Sequence, residues 1–262
     1  MTISELNIED LNNGDLTLDA LTADWNLYQL KKGHRFSADD LFTAFVAWQT
    51  VPTAKSFVDL GSGVGSVGLL TLSKLSSDSR LLMVEAQHIS FQLAQKTIAH
   101  NHLEKRVEIR HGDIRNNTII PEVKEFKLVT GSPPYIPLGK GIASPHPQRA
   151  ACRMELRGNI FDYAARAKSL LQIDGFFIVC FAFGDTRARE AFKQNSLHIR
   201  RIQNIIFRAD LPPTIAIYAV SPTPGKCELS PPIAIRDKHG KWTTQYMQIR
   251  HQMGFPKREK PV

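Results

Sequence analysis

Ser132-Pro-Pro-Tyr135 gathers a hydroxyl acceptor, a carbonyl made rigid by two adjacent prolines, and an aromatic face into four residues. That set suits an amine whose lone pair is delocalised into a planar ring or carbonyl. Such an amine is a poor nucleophile, but it needs no deep general base. It needs its N–H bonds held by acceptors so that the lone pair turns out of the plane. Ser132 Oγ and the Pro133 carbonyl can accept those bonds. The paired prolines fix φ and set the geometry before a substrate arrives. Tyr135 offers a face on which an unstacked base can lie. Leu211-Pro-Pro-Thr and Ser230-Pro-Pro-Ile carry the same proline pair without the aromatic residue and are read as structural.

A second constellation lies upstream, in Val58-Asp-Leu-Gly-Ser-Gly-Val-Gly65. Asp59 is followed by Gly61, Gly63 and Gly65 at alternate positions, where glycine allows positive φ and close backbone approach to a ligand. The helix expected from Ser66 offers free N–H groups to a polar or anionic group. Gly63-Val-Gly65-Ser-Val-Gly68 also fits G-x-G-x-x-G, so the loop alone leaves a nicotinamide dinucleotide and S-adenosylmethionine equally open. Glu85, closing the next strand, can accept the ribose hydroxyls of either. Asp113 is an acceptor for an adenine amino group or a simple turn aspartate. Ser-Pro-Pro-Tyr breaks the tie, because a dehydrogenase has no use for it.

These residues must be held by regular elements. Apolar runs predict strands at 56–60, 80–85, 106–110, 126–131, 175–183, about 199–207 and 213–220. Helices are expected at about 66–75, 88–102, 158–172 and 185–195, and another from an N-cap at Ser37 through Trp48, with Asp39 and Asp40 in its first turn. The alternation implies an α/β, Rossmann-like fold: a seven-stranded, mainly parallel sheet with helices on both faces. Three segments are expected. Residues 1–26 form an acidic N-terminal segment, weakly ordered or a peripheral helix. Residues 27–222 form the main domain. Residues 223–262 form an extension with a hairpin turning at His239-Gly240 and a frayed basic tail from Lys257.

Charge is unevenly spread. The net charge is +8, yet residues 1–26 hold six acids and no Lys or Arg, leaving 33 basic against 19 acidic residues beyond them, a net +14. Such a body suits a polyanionic partner, although a basic pI also serves solubility alone. No apolar run is long enough to span a membrane, and Met-Thr-Ile-Ser-Glu-Leu carries no secretory pattern. Cys152, Cys180 and Cys227 are widely spaced, which fits free thiols in a reducing cytoplasm and no metal site. The sequence is silent on oligomeric state.

With both motifs in place, the chain resembles the bacterial tRNA1(Val) adenine-N6 methyltransferases. The resemblance spans about residues 27–250 and rests on Gly33-His-Arg-Phe-Ser-Ala-Asp39, Asp59-Leu-Gly-Ser-Gly-Val-Gly65, Ser132-Pro-Pro-Tyr135, Arg149-Ala-Ala-Cys-Arg-Met-Glu155 and Ile235-Arg-Asp-Lys-His-Gly-Lys-Trp-Thr243. It implies a class I methyltransferase fold and S-adenosyl-L-methionine as cofactor. It also implies that Arg35, Phe36, Ser37 and Asp39 lie over the cofactor's methionine part. The implied target is the adenine 3′ of a tRNA anticodon. The family usually has Asn where this chain has Ser132, and cytosine-N4 methyltransferases also use Ser there, so adenine and cytosine both stay open.

His146, Arg149, Arg153 and Arg157 follow the tetrapeptide. The three arginines recur every four residues and would share a helical face, as a phosphate-holding stripe or a solvated surface. Arg200 and Arg201 alternate along a strand and so point apart. His100-Asn-His102 has a nuclease-like pattern but no partner motif, and reads as surface. Two rival readings are a protein glutamine methyltransferase of the release-factor kind, which also uses N-P-P-Y, and an RNA-binding protein that kept the fold with weak catalysis. A dinucleotide oxidoreductase stands third.

Overall fold

The structure is a computed structural model that describes residues 7–12, 14–141 and 144–256. The expected basic tail and the first residues of the acidic segment lie outside the described residues. A short 3-10 turn at Ile8–Asp10 leads to a hairpin of β1 (Leu16–Ala20) and β2 (Asn26–Leu30). There follow α1 (Ala38–Thr50), β3 (Ser56–Leu60), α2 (Ser66–Lys74), β4 (Arg80–Glu85), α3 (His88–His100), β5 (Val107–His111) and β6 (Phe126–Gly131). The chain continues through α4 (Pro147–Arg153), α5 (Ile160–Leu170), β7 (Leu171–Ala182), α6 (Arg187–Gln194), β8 (His198–Arg208), β9 (Ile215–Ser221), β10 (Glu228–Arg236) and α7 (Thr244–Gln252).

Eight strands form one sheet in the order β10-β8-β9-β7-β6-β3-β4-β5. β3, β4, β5, β6 and β7 run parallel, and β9 is antiparallel to both β7 and β8. The seven expected strands are all present; the eighth, β10, pairs parallel to β8. Pro231 and Pro232 hid it, because proline cannot donate to a ladder. They are accommodated on an edge, where the pairing register shifts between Ser230 and Ile233. The expected C-terminal hairpin is reduced to a turn closed by one bridge, Arg236 to Trp242, after which Thr243 caps α7 with its hydroxyl.

The acidic N-terminal segment is also corrected. Leu16-Thr-Leu-Asp-Ala alternates as a strand and pairs with β2 instead of staying loose or coiling. Asp19 on β1 then binds the Arg35 guanidinium at 2.8 Å, so part of the acidic run neutralises the protein's own base.

Strand alternation sends neighbouring side chains to opposite faces. Phe57 and Ile178 enter one core with α1, α2, α3 and α7, while Val58 and Phe177 enter the other with α5 and α6. β3 lies between β4 and β6, so the connections after β3 and β6 leave the sheet's carboxyl edge side by side. Ligands of open α/β sheets bind at such a switch point. Phe177 is fully enclosed, so Phe177→Ala leaves a cavity and is expected to cost about 3–5 kcal/mol. Urea unfolding checks this, with an unchanged m-value expected.

Candidate active site

The turn after β3 is built around Asp59. Its Oδ1 accepts from Thr130 Oγ1 on β6 at 2.7 Å, and its Oδ2 accepts from the Gly68 N–H in α2 at 3.0 Å. Gly61 and Gly63 follow at φ +59° and +57°. A Cβ on Gly61 would run into the Tyr163 hydroxyl, whereas one on Gly63 would meet nothing within 4 Å. One glycine therefore packs against α5 and the other leaves room for a ligand. Glu85, at the end of β4, accepts from the Gly63 N–H at 2.8 Å and the Gln87 N–H at 2.6 Å. The resulting cavity is lined by Phe36, Asp40, Asp59, Gly61, Gly63, Glu85, Ile114 and Arg157, among others.

Burial pushes up the pKa values of its carboxyl groups. Asp59 rises to about 6, against the pull of its bonds from Thr130 and Gly68, with Glu85 adding repulsion. Glu85 is raised for the same reason, despite its bonds from Gln87 and Gly63. Asp40 rises to about 7 through desolvation and the neighbouring Asp39 charge. A cavity walled by carboxylates that burial disfavours suits a ligand that brings hydroxyl donors and positive charge. S-adenosylmethionine, with its ribose hydroxyls and sulfonium, fits that description.

Ser132-Pro-Pro-Tyr135 lies next to this cavity. Ser132 Oγ is enclosed and has no hydrogen-bond partner among the described residues. The Tyr135 ring is pinned: its hydroxyl contacts Cys180 Sγ at 3.0 Å, and its ring meets Phe181 edge-on at 5.3 Å. The chain after it is tied to the end of α4 by Ile136 N–H to Arg153 O and Glu155 N–H to Ile136 O. A second cavity opens over the tetrapeptide, lined by Ser37, Asp39, Pro133, Tyr135, Arg149 and Arg153. The two cavities share His34, Asp40, Ser132, Pro134 and Cys152.

The other expected residues divide. Phe36 faces the first cavity, and Ser37 and Asp39 face the second. Arg35 faces neither; it reaches back to Asp19 and Thr17 on β1 and lines a separate cleft with Arg250 and Phe255. Gly65 caps α2 in a left-handed conformation, against Met83. Asp113 is absent from the cavity lining, where Ile114 stands instead, and its carboxylate is held by Arg115 at 2.6 Å.

The arginine stripe breaks, because α4 ends at Arg153. Arg149 and Arg153 line the second cavity, with the Arg149 guanidinium on Gly33 O, while Arg157 sits beyond the helix on the first. His146 caps α4 and lines neither cavity. Arg200 and Arg201 bond Thr223 O and Ser230 Oγ, remote from both.

Sequence reasoning missed Gln148 and Tyr163, and gave Asp40 only a helix-turn role. Gln148 accepts from the His34 N–H at 3.0 Å and donates to Ser90 at 3.1 Å, joining α4 to α3. No local pattern signals such a long-range bond. Asp40 was read as first-turn charge; its Oδ2 does accept the Ser37 N–H at 2.8 Å, but it also lines both cavities.

A folded-state pKa near 7 against an unfolded value of 3.8 means the native Asp40 keeps its proton longer. Its ionisation therefore lowers stability as pH rises from about 4 to about 7. Asp40→Asn should melt several degrees above the wild type near pH 8 and match it near pH 4. Scanning calorimetry at the two pH values checks this, and an equal difference at both would contradict it.

A family model described as the methyltransferase small domain matches residues 36–143. The chain is 26% identical over 203 residues to a tRNA1(Val) (adenine(37)-N6)-methyltransferase of Histophilus somni, covering 78% of this chain and 84% of the relative. It is 27% identical over 183 residues to the enzyme of the same name from Cronobacter sakazakii, covering 69% and 73%. Among solved structures, a predicted O-methyltransferase from Agrobacterium tumefaciens superposes with a TM-score of 0.63 at 14% identity, covering 83% of this chain and 97% of that one. A geranyl diphosphate C-methyltransferase from Streptomyces coelicolor superposes at 0.51 with 10% identity, covering 70% and 79%. These two share the fold. The chain is an S-adenosylmethionine-dependent methyltransferase of the class I fold, and it is similar over most of its length to bacterial tRNA1(Val) (adenine(37)-N6)-methyltransferases.

Proposed function

We infer that the protein transfers a methyl group from S-adenosyl-L-methionine to the exocyclic N6 amine of an adenine in tRNA, in the anticodon loop 3′ of the anticodon. The observation that carries this reading is the enclosed, unpartnered Ser132 Oγ beside the rigid Pro133 carbonyl, at the junction of the two cavities. When bound, S-adenosylmethionine supplies an electrophilic methyl group on a positively charged sulfur.

The chain's own residues do the rest. Glu85 holds ribose hydroxyls, and Gly63 lets the backbone approach the cofactor while Gly61 makes room for Tyr163. Phe36, Asp59 and Arg157 complete its wall. Ser132 and the Pro133 carbonyl hold the amine's N–H bonds, with Pro134 fixing the turn. Tyr135 stacks the flipped base, its ring already positioned by Cys180 and Phe181. Arg149 and Arg153, with Arg157 and His146 nearby, hold phosphates beside that base. Among the described residues no helix is long and apolar enough to cross a membrane and no cluster could hold a metal. A cytoplasmic site of action accompanies a tRNA substrate.

Two measurements test the roles. With labelled cofactor and unmodified tRNA, Ser132→Ala and Tyr135→Ala should lower turnover far more than calorimetric cofactor affinity, and the lost stack should weaken RNA engagement by about 1–3 kcal/mol. Wild-type turnover in Ser132→Ala would remove the acceptor role. Arg153→Gln should weaken tRNA binding and flatten its log–log salt slope by slightly under ~1, with cofactor binding unchanged. Methyl transfer to a release-factor peptide, with tRNA untouched, would favour the glutamine reading instead.

A further inference from the structure

The junction between the two cavities is made of five residues: His34, Asp40, Ser132, Pro134 and Cys152. A methyl group passing from a donor in the glycine-loop cavity to an amine over the tetrapeptide crosses between them. Pro134 is neutral and Ser132 brings a hydroxyl. The Cys152 thiol is pushed up to about 12 by burial and by Glu85, so it stays protonated. His34 can add only positive charge. Asp40 alone can bring a negative charge to this junction, and among the described residues it takes part in no salt bridge.

We propose that Asp40 is the counter-charge that distinguishes a sulfonium cofactor from its neutral thioether product, a role that rests on the cofactor reading above. S-adenosylmethionine and S-adenosylhomocysteine differ only by the methyl group and its positive charge. A half-buried carboxylate with no salt-bridge partner among the described residues favours the first and loses that preference once the methyl has left, which speeds product release. Its surroundings also set a pH dependence. Asp40 faces Asp39 on its own helix, Asp59 at the end of β3 and Ser66 on α2. His34 and Cys152 share the junction with it, Asp39 and Tyr135 line the second cavity, Glu85 lines the first, and Cys180 contacts the Tyr135 hydroxyl. Desolvation and the Asp39 and Asp59 charges hold it near 7, against its bonds from Ser37 and Ser66. A sulfonium beside it draws the proton off, so cofactor binding tightens as pH rises through neutrality and releases a proton. Arg149 and Arg153 also line the second cavity.

Calorimetric titration of S-adenosylmethionine and S-adenosylhomocysteine, at about pH 6 and about pH 8, tests this. In the wild type the preference for the sulfonium form should grow by up to roughly tenfold across that interval. In Asp40→Asn it should stay flat, and in His34→Gln it should grow as in the wild type. Ionisation of the ligands themselves is common to all three proteins. Independently of any variant, wild-type titrations in two buffers of different ionisation enthalpy should count more protons released by S-adenosylmethionine than by its product. An equal weakening of both ligands in Asp40→Asn, an unchanged pH trend in that variant, or equal proton counts would overturn the proposal. If neither ligand bound the wild type, the cofactor reading itself would fall, an outcome plainly different from equal binding of both.

Discussion

Asp59 accepts from Thr130 on β6 with one carboxylate oxygen and from the Gly68 N–H on α2 with the other. The loop after β3 carries the glycines, and the loop after β6 carries Ser-Pro-Pro-Tyr. Because β3 and β6 are adjacent in the sheet, this enclosed carboxylate couples the two loops that must cooperate. The bonds to Thr130 and Gly68 offset a desolvation that still lifts its pKa to about 6. An unpaired carboxylate there would cost more than the site could sustain. Asp59 thus acts first as a tie between loops and only then as part of a cavity wall.

Around that tie the site divides its labour by charge and rigidity. The cofactor side is acidic and ordered by backbone bonds, with Glu85 fastened to Gly63 and Gln87. The tetrapeptide itself is uncharged and stiff, with Tyr135 held by its hydroxyl and its ring edge. The cavity over the tetrapeptide sets Arg149 and Arg153 beside Asp39 and Asp40. A cationic methyl donor, a neutral amine and an anionic backbone each meet the surface that suits them. The β1–β2 hairpin turns Arg35 away from both cavities by pairing it with Asp19.

What the sequence made legible follows from how local each signal is. The strand-glycine-helix turn and the proline pair are written in consecutive residues, and both sit where the pattern places them. β1 was missed because its acidic neighbours masked a five-residue alternation, and β10 because prolines argue against a strand unless it lies on an edge. The arginine stripe failed because periodicity cannot show where α4 stops. Gln148 and the junction role of Asp40 were invisible for another reason. Each depends on contacts between elements that only the folded sheet brings together.

Nucleoside mass spectrometry of unmodified tRNA, incubated with the protein and isotopically labelled S-adenosylmethionine, tests the central claim most directly. The account predicts that the label appears in N6-methyladenosine, at the adenine 3′ of the anticodon. Label in N4-methylcytidine, or tRNA that stays unlabelled while the protein binds the cofactor, would contradict it.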